Sequence, residues 1–306
     1  MTPPPGMTDA LLSWYERDGR HDLPWRTVRN PYYTLVSEFM LQQTQVERVI
    51  AKFETFVARF PTIEALANAS VGDVLREWQG LGYNSRAVRL RESAGVVAER
   101  FGGVMPSEVH LLRQLPGVGP YTAAAIRAFG FDIDDAPVDT NIRRIVHRVA
   151  FGIEHPPKAS ARELDARVRA MAAPGRAHDW NSALMDLGAT ICTARSPKCS
   201  ICPLRARCAA SPIDAMALEV ARREHARIPS PQNAIPWERT TRFARGRIIE
   251  RLRALAPGER ISLLDLHGDL QPLMPERSVE DVNELVAILE RDGLIARDGE
   301  AIALRE

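Results

Sequence analysis

All four cysteines of the chain fall in one short window, Cys192-x6-Cys199-x2-Cys202-x5-Cys208. Four thiolates at such short spacings can hold a structural zinc ion. The spacing confines the ligands to residues 192–208 rather than to two separated Cys-x2-Cys knuckles, and closely spaced thiolates commonly hold iron–sulfur clusters. We therefore expect a 4Fe-4S cluster, with zinc as the alternative, on Cys192, Cys199, Cys202 and Cys208.

Cationic residues surround these cysteines, since the same window contains Arg195, Lys198, Arg205 and Arg207. They make the window polar, which disfavours a group of buried free thiols. They also give a positively charged loop that would suit a phosphate backbone, although a solvated charged face is the alternative explanation of any such run.

Two carboxyl groups stand in contrasting sequence contexts. Glu38 lies at helical spacing on an apolar side, between Val36 and Met40, where a carboxyl is costly unless it is paired or protonated. Asp139 precedes a predicted helix, whose positive dipole end favours an ionised carboxylate. A protonated acid and an anion are what glycosidic cleavage needs. The structural alternatives are a bond from Glu38 to the backbone or to Arg26, and a simple helix N-cap at Asp139.

The run Pro116-Gly117-Val118-Gly119 predicts a tight hairpin between two helices. The first helix is predicted over 107–115 with Ser107 as its N-cap, and the second opens at Pro120, where a missing N–H costs nothing. Glycines at alternate positions let exposed backbone N–H groups approach an anion, and the helix start adds its positive dipole end. A phosphate group would fit this hairpin.

Composition narrows the class of protein. The chain has 306 residues, of which 45% are hydrophobic and 26% are charged. This length allows two domains, and the composition excludes disorder as the main state. No apolar run is long enough to span a membrane, and the N-terminus lacks a signal-peptide pattern. The 40 Lys and Arg residues balance 39 Asp and Glu residues, so bulk charge leaves a nucleic-acid partner open.

Apolar residues recur at helical spacing along most of the chain, which predicts a many-helix bundle. Before the hairpin, predicted helices fill much of residues 8–60 and then 62–69, 70–78 and 85–101, and the polar run 42–45 interrupts the first stretch. After the hairpin, a further helix is predicted with one apolar and one basic face. Its apolar residues are Ile142, Ile145, Val146 and Val149, and its basic residues are Arg143, Arg144 and Arg148.

The C-terminal part has a different pattern. Residues 211–239 are rich in Ala, Arg and Pro and predict a linker between a domain over 1–210 and a second domain over 240–306. In the second domain, helices fit 240–255, 262–270 and 278–292, and short apolar runs flank the hairpin-turn signal Asp298-Gly299. Three helices and a terminal hairpin suggest a small winged-helix-like domain.

Six motifs carry a resemblance to a known family over about residues 8–210. They are Leu23-Pro24-Trp25-Arg26, Ser37-Glu38-Phe39-Met40-Leu41-Gln42-Gln43-Thr44-Gln45-Val46, Gly80-Leu81-Gly82-Tyr83, Leu115-Pro116-Gly117-Val118-Gly119-Pro120-Tyr121-Thr122, Val138-Asp139-Thr140-Asn141 and the four-cysteine loop. Together they resemble DNA glycosylases of the helix-hairpin-helix superfamily, and within it the MutY-type adenine glycosylases. The hairpin and the cysteine spacing are shared with the endonuclease III branch. Glu38 with the Met-Leu-Gln-Gln-Thr run at 40–44 resembles the adenine-specific branch.

The resemblance implies an all-α, two-lobed helix-hairpin-helix glycosylase fold with an iron–sulfur loop, and it implies roles for four residues. Glu38 would protonate the adenine ring nitrogen, and Asp139 would stabilise or capture the oxocarbenium-like sugar before water attacks. Tyr121 and Asn141 would complete the pocket around Asp139. For Tyr121, ordinary core packing is the alternative.

The resemblance also implies a DNA-binding surface. Gln43 and Tyr83 would fill the gap that an extruded nucleotide leaves in the base stack, with core packing again the alternative for Tyr83. The other DNA-binding residues would be Arg26, Gln42, Thr44, Gly117, Val118 and Gly119.

Position 121 bears on the chemistry after base loss. In bifunctional relatives a lysine at this place attacks the sugar as a Schiff base, and here the residue is Tyr121. The chain has only three lysines, Lys52, Lys158 and Lys198, and none lies in the motif. We therefore expect a monofunctional enzyme.

Two features depart from the family pattern. The C-terminal segment is too short and too helical for the Nudix-like domain that contacts 8-oxoguanine in many family members. Asn84 follows Tyr83, where many relatives have a second tyrosine. Both departures concern DNA recognition.

The resulting hypothesis is an adenine glycosylase that excises adenine mispaired with 8-oxoguanine or guanine. Its expected partner is double-stranded DNA containing a mismatch, and we expect a monomer that is cytoplasmic, bacterial and associated with the nucleoid through DNA. One rival is a thymine or uracil mismatch glycosylase of the same fold, against which Glu38 and the Gln-Gln-Thr run argue. The other is a non-catalytic iron–sulfur DNA-binding protein, for which neither Glu38 nor Asp139 would be needed.

Overall fold

The computed structural model describes residues 6–226 and 236–306, and in them the chain is mostly helical. The helices before the hairpin are α1 (Met7–Asp18), α2 (Pro24–Thr27), α3 (Pro31–Leu41), α4 (Val46–Arg59), α5 (Ile63–Ala67), α6 (Val71–Glu77), α7 (Ser85–Phe101) and α8 (Val109–Leu112). Those after it are α9 (Pro120–Ala125), α10 (Thr140–Phe151), α11 (Ala161–Ala170), α12 (Ala177–Thr190), α13 (Ala215–Glu224), α14 (Thr241–Arg253), α15 (Leu263–Leu270) and α16 (Val279–Arg291). The strands are β1 (Ile261–Ser262), β2 (Ile295–Asp298) and β3 (Ala301–Leu304). Among the described helices, none combines the length and the apolar character that crossing a bilayer requires.

Residue contacts divide the chain into two units. The first comprises Met1–Glu38, Ser107–Gln114 and Val118–Ile228, and the second comprises Phe39–Pro106, Leu115–Gly117 and Pro229–Glu306. The first unit contains the two predicted catalytic carboxyls and the cysteine loop. The second contains the Gln43 and Tyr83 loops and the C-terminal domain.

The first unit is built around α12, which packs against α1 and α10. Trp180 and Leu184 of α12 and Ile142 of α10 are at most 1% exposed, and each contributes roughly 1.5–3 kcal/mol by burial. Asp139 is the N-cap of α10, because its side chain accepts a hydrogen bond from the backbone N–H of Ile142. This confirms the prediction that Asp139 lies at a helix start, and the apolar face of α10 fixes its position.

In the helical part of the second unit, α5 and α6 both pack against α7. Trp78, directly after α6, is fully buried, and its indole N–H donates to the carbonyl of Gly82 at 3.1 Å. Gly80 and Gly82 have φ angles of 91° and 69°, which favour glycine. These interactions fold the loop back toward α6 and place Tyr83 at its end.

The C-terminal domain follows the winged-helix order α14, β1, α15, α16, β2, β3. Strand β3 lies between β1 and β2 in an antiparallel sheet, with Ile302 opposite Ile261 and Arg297. Ile302 and Ile248 are fully buried in the core of this domain. The predicted three helices and terminal hairpin are confirmed. The backbone N–H of Gly72 at the start of α6 donates to the carbonyl of Arg305 at 2.7 Å, so the last strand is tied to the helical part of the unit.

Two local predictions differ from the structure, and one turn was not predicted. Ser107 is not a helix N-cap, because α8 is a single turn preceded by Glu108, and the Ser107 carbonyl accepts a hydrogen bond from Arg127. After α9 the chain forms an unpredicted π-helical turn over Ile126–Gly130. The predicted linker segment contains α13, which Asp214 caps by accepting two backbone hydrogen bonds. Other predicted linker residues, Pro229 and Pro231 among them, lie outside the described residues.

Candidate active site and cluster loop

Glu38 occupies the buried side of α3 and is 8% exposed. Burial raises the pKa of its carboxyl to about 7. A hydrogen bond with the Tyr121 hydroxyl and the charge of Arg26 oppose this rise, and the charge of Asp139 adds to it. In the part of the chain that the structure describes, no cation lies within salt-bridge distance of Glu38. At neutral pH a large fraction of Glu38 therefore holds a proton.

Tyr121 follows Pro120 in the first turn of α9 and lies beside Glu38. Burial, followed by the nearby charges of Glu38 and Asp139, raises the pKa of the Tyr121 hydroxyl well above its usual value. The hydroxyl therefore stays protonated and serves Glu38 as a hydrogen-bond partner. It cannot serve as a base near neutral pH.

Asp139 is held in a different environment from Glu38. One carboxylate oxygen accepts from the backbone N–H of Ile142 at 2.7 Å, and the other accepts from Nδ2 of Asn141 at 2.8 Å. Two donated hydrogen bonds suit an ionised carboxylate, which can only accept. The structure thus brings Glu38, Tyr121, Asp139 and Asn141 together in the first unit.

Arg26, predicted to contact DNA, is instead engaged in a buried ion pair. Its guanidinium donates to both oxygens of Asp186, at 2.8 and 3.1 Å, and to the carbonyl of Arg20. Asp186 is 1% exposed, and Arg20 also donates to it. The geometry assigns Arg26 to holding α2 against α12 rather than to an exposed surface.

A hydrogen-bonded chain links Asp139 to the cysteine loop. Asn141, which donates to Asp139, accepts from Arg144 at 2.8 Å, and Arg144 donates in turn to the carbonyl of Cys192 at 2.8 Å. The sequence indicated only that Arg144 lies opposite the apolar face of α10. Its partner is 48 residues away, and no local spacing could have indicated it.

Arg148, one turn further along α10, is fully buried. It donates to both carboxylate oxygens of Glu154 at 2.7 and 2.8 Å, to the carbonyl of Thr193 at 2.8 Å and to Sγ of Cys192 at 3.4 Å. Bidentate pairing satisfies the buried guanidinium. Arg148 therefore anchors the cysteine loop to α10, a role that sequence reasoning missed.

The four cysteine thiols line one cavity together with Arg148, Lys198 and Arg205. Among residues 6–226 and 236–306, no three His, Cys, Asp or Glu side chains are placed to hold a single metal ion. Thiolates on one zinc ion would lie about 4 Å apart, given Zn–S distances of about 2.3 Å, whereas a multi-iron cluster needs more room. Burial raises the pKa of the Cys202 thiol to about 11. The donor set fits an iron–sulfur cluster.

The hairpin presents backbone donors. Gly117 has a φ of 79°, and a Cβ atom there would lie 3.0 Å from the ring of Phe39, so glycine is required on both grounds. In the described part of the chain, the N–H groups of Gly117, Val118 and Gly119 have no acceptor. Unpaired N–H groups before a helix start suit an anion. The Val118 side chain itself is buried, so only its backbone is available.

Gln43 and Tyr83 lie in the second unit, each at a loop position with positive φ, 57° and 47° respectively. A buried arginine, Arg86, joins the two loops. It donates to the Met40 carbonyl at 2.9 Å and the Leu81 carbonyl at 3.0 Å. It also donates to the hydroxyl of Thr44, the carbonyl of Gly82 and the carbonyl of Phe39. Gln42 and Thr44 thus belong to the same tied loop as Gln43.

Comparison with known proteins identifies the family. Residues 36–170 match the HhH-GPD superfamily of base excision DNA repair proteins, and residues 192–208 match the iron–sulfur binding domain of endonuclease III. The adenine DNA glycosylase of Mycolicibacterium smegmatis is 40% identical over 276 residues, which cover 89% of each chain. The chain belongs to the adenine DNA glycosylase family. The adenine DNA glycosylase of Mycobacterium tuberculosis is 42% identical over 262 residues, covering 83% of this chain and 81% of that one.

Solved structures agree with the predicted fold. A thermostable thymine-DNA glycosylase is 31% identical with a TM-score of 0.60, covering 65% of this chain and 92% of that chain. Endonuclease III in a non-covalent complex with DNA is 21% identical with a TM-score of 0.55, covering 65% and 91% of the two chains. These comparisons confirm three predictions for this member of the adenine glycosylase family. They are the helix-hairpin-helix glycosylase fold, the role in base excision repair and the 4Fe-4S cofactor.

Proposed function

We propose that the protein hydrolyses the bond between adenine and deoxyribose in DNA where adenine is mispaired with 8-oxoguanine or guanine. The supporting observation is the contrast between two carboxyls of one site. Glu38 is buried with a pKa of about 7, whereas Asp139 accepts hydrogen bonds at both oxygens. One group can give a proton near neutral pH while its neighbour keeps a negative charge.

Glu38 acts as the general acid. It transfers its proton to a ring nitrogen of adenine, so that the electron pair of the breaking N-glycosidic bond leaves with a neutral base. Tyr121 orients the carboxyl through its hydroxyl. After the transfer, the Glu38 carboxylate can take a proton from the attacking water.

Asp139 acts on the sugar. As the bond breaks, positive charge develops at the anomeric carbon and ring oxygen, and a nearby carboxylate stabilises it or captures it covalently before water adds. Asn141 and the N–H of Ile142 fix the orientation of Asp139 before the substrate arrives. This preorganised charge costs no rearrangement during the reaction.

The target nucleotide must leave the base stack before it reaches these carboxyls. Gln43 and Tyr83, on loops that Arg86 ties together, fill the space that it leaves, with Gln42 and Thr44 supporting them. The backbone N–H groups of Gly117, Val118 and Gly119 bind a phosphate of the same DNA. We further propose that the partner is a mismatched duplex and that a single copy of the chain binds it.

The enzyme is monofunctional. A Schiff base with the sugar needs a lysine amine at the site, and Tyr121 stands where the bifunctional relatives have that lysine. Lys198 lines the cysteine cavity, and the backbone N–H of Lys158 donates to His147. Borohydride treatment during turnover should therefore trap no covalent complex of enzyme and DNA.

Single-turnover assays on A:8-oxoguanine, A:G, T:G and U:G duplexes test the proposal. We expect excision from the first two only. If the protein releases thymine or uracil and leaves adenine in place, the proposal is wrong. The activity would then be that of a thymine-DNA glycosylase, the name of the solved structure that is 31% identical. The ratio of the excision rates on the A:8-oxoguanine and A:G duplexes gives the preference of the enzyme for the base opposite adenine.

A further inference from the structure

The winged-helix domain carries its charges on two helices of opposite sign. Helix α16 is third in the domain, the place of the recognition helix in helix-turn-helix proteins, and bears four acidic residues and one arginine. Helix α14 carries five arginines and one glutamate. An acidic helix would be repelled by phosphates, so α16 does not suit the groove of DNA. The basic helix α14 is the surface of this domain that suits DNA.

Three of the five arginines of α14 are neutralised within the domain. Arg245 pairs with Asp292, Arg247 pairs with Glu250 and Arg251 pairs with Asp269. These pairs are partly exposed, and such pairs contribute little to stability. Neither Arg242 nor Arg253 has a carboxylate within salt-bridge distance in the described residues.

Arg242 and Arg253 both point at the Tyr83 loop. The Arg242 guanidinium lies 3.7 Å from the centre of the Tyr83 ring and 5.2 Å from that of Trp237. Arg253 donates to Oδ1 of Asn84 at 2.6 Å, while its Nε is buried without a partner. Asn84 is the residue at which the sequence departs from many relatives.

These side chains line one open cavity of about 780 Å³. Its walls are the Tyr83 loop on one side and α14 on the other, both in the second unit. Burial lowers the pKa of Arg253 to about 10, and the nearby charge of Glu250, which lines the same cavity, opposes this fall. The arginines that line the cavity outnumber its one carboxylate, Glu250. An excess of guanidinium groups beside aromatic rings suits a nucleotide, because arginine binds phosphate and the rings accept a stacked base.

We propose that this cavity, hereafter the α14 pocket, is a DNA-backbone subsite in which Arg242 and Arg253 bind phosphate. The proposal rests on the proposed function only in taking DNA as the ligand. It gives the C-terminal domain a contact to DNA next to Tyr83 through the arginines of its first helix, α14. Arg242 exchanges its stacking on Tyr83 for a phosphate when Tyr83 enters the duplex.

The test uses the full-length holoprotein and three single variants, Arg242→Ala, Arg253→Ala and the matched control Arg251→Ala. Arg251 lies on the same helix but is paired with Asp269 and does not line the pocket. Affinity for a fully matched duplex is measured over a range of salt concentrations, so excision plays no part. Each pocket variant should lose about 0.9 from the salt slope and roughly fivefold in affinity at about 0.15 M salt. The control should match the wild type.

A conservative variant separates phosphate binding from support of Tyr83. Arg242→Lys keeps the charge and loses the flat guanidinium, so it should retain most of the salt slope. If Arg242→Ala and Arg253→Ala both keep the wild-type slope while melting like the wild type, the proposal is wrong. It is equally overturned if the variants keep their affinity for matched DNA and lose only discrimination between A:8-oxoguanine and A:G. Inorganic phosphate could instead raise the melting temperature of the wild type but not of Arg242→Ala, while both bind DNA equally well. That result would contradict the proposal and assign the pocket to a small anion.

Discussion

The active site and the cysteine loop of the first unit both contain a buried charged side chain, and they accommodate it in opposite ways. At the loop, Arg148 is fully buried against the carboxylate of Glu154. At the active site, Glu38 is buried with no cation of the described residues within salt-bridge distance, and its pKa rises until it can hold a proton near neutral pH. A buried charge with a complete partner maintains structure, whereas a buried group without one is free to exchange a proton with a substrate.

The largest effect should come from Glu38→Gln, which keeps the shape of the side chain and removes the transferable proton. We expect the single-turnover excision rate to fall roughly 10²–10⁴-fold, because that is the range for loss of general acid catalysis. Affinity for the mismatched duplex should stay within about threefold of wild type, since catalysis by proton transfer leaves ground-state contacts intact. The excision rate and the gel-shift affinity are measured on one preparation of the variant. A variant that excises adenine at the wild-type rate would show that Glu38 is not the acid.

Asp139→Asn should give the next largest effect. Asparagine caps a helix as well as aspartate does, so α10 should fold normally, but the negative charge beside the sugar is lost. We expect a fall of roughly 10²–10³-fold in excision with binding retained. Circular dichroism melting serves as the control for the cap. A variant that melts early and loses binding and rate together would mark Asp139 as a structural cap.

At the cysteine loop, the same kind of change should affect stability rather than the chemical step. Arg148→Met leaves the Glu154 carboxylate, whose side chain is 14% exposed, without its cation. Breaking a fully buried pair in this way costs about 3–5 kcal/mol, so we expect a cost at the lower end of that range. We expect a lower melting temperature and less bound iron per chain, measured by the charge-transfer absorption that makes the protein brown. Molecules that retain the cluster should excise adenine at a rate near wild type. A fully loaded variant with normal melting would contradict the structural role.

The smallest effect sharpens the comparison at Glu38 itself. The pKa of Glu38 in the folded protein lies above its value in the unfolded chain, so the folded state binds the proton more tightly and loses stability as pH rises toward about 7. Glu38→Gln removes that penalty. The variant should melt at a higher temperature than wild type at about pH 8 and show little advantage at about pH 5. If the variant and the wild type melt at the same temperature at both pH values, burial of the Glu38 carboxylate does not destabilise the folded protein.

Local patterns were sufficient to predict much of this molecule. Apolar spacing predicted α7, α10 and the three helices of the C-terminal domain, and the motif around Asp139 predicted its position at a helix start. The apolar neighbours of Glu38 correctly indicated a buried carboxyl. Helix α13 was not predicted because its segment is rich in alanine and arginine and is followed by several prolines, which is the composition of a linker.

Long-range pairing could not be predicted. Arg26 looked like a DNA ligand from its motif, yet its partner Asp186 lies 160 residues away. Arg242 meets Tyr83 across a similar separation, and Arg144 and Arg148 meet the cysteine loop through the packing of α10. In each case the partner is chosen by how the helices pack, and spacing along the chain carries no signal of that choice.

The most direct test of the central claim is the pH dependence of adenine excision. Single-turnover rates on an A:8-oxoguanine duplex are measured from about pH 5 to about pH 9 under saturating enzyme. If Glu38 must hold the proton, and burial sets its pKa at about 7, the rate should fall about tenfold per pH unit above that value. A rate that stays constant or rises toward the alkaline end would contradict the account.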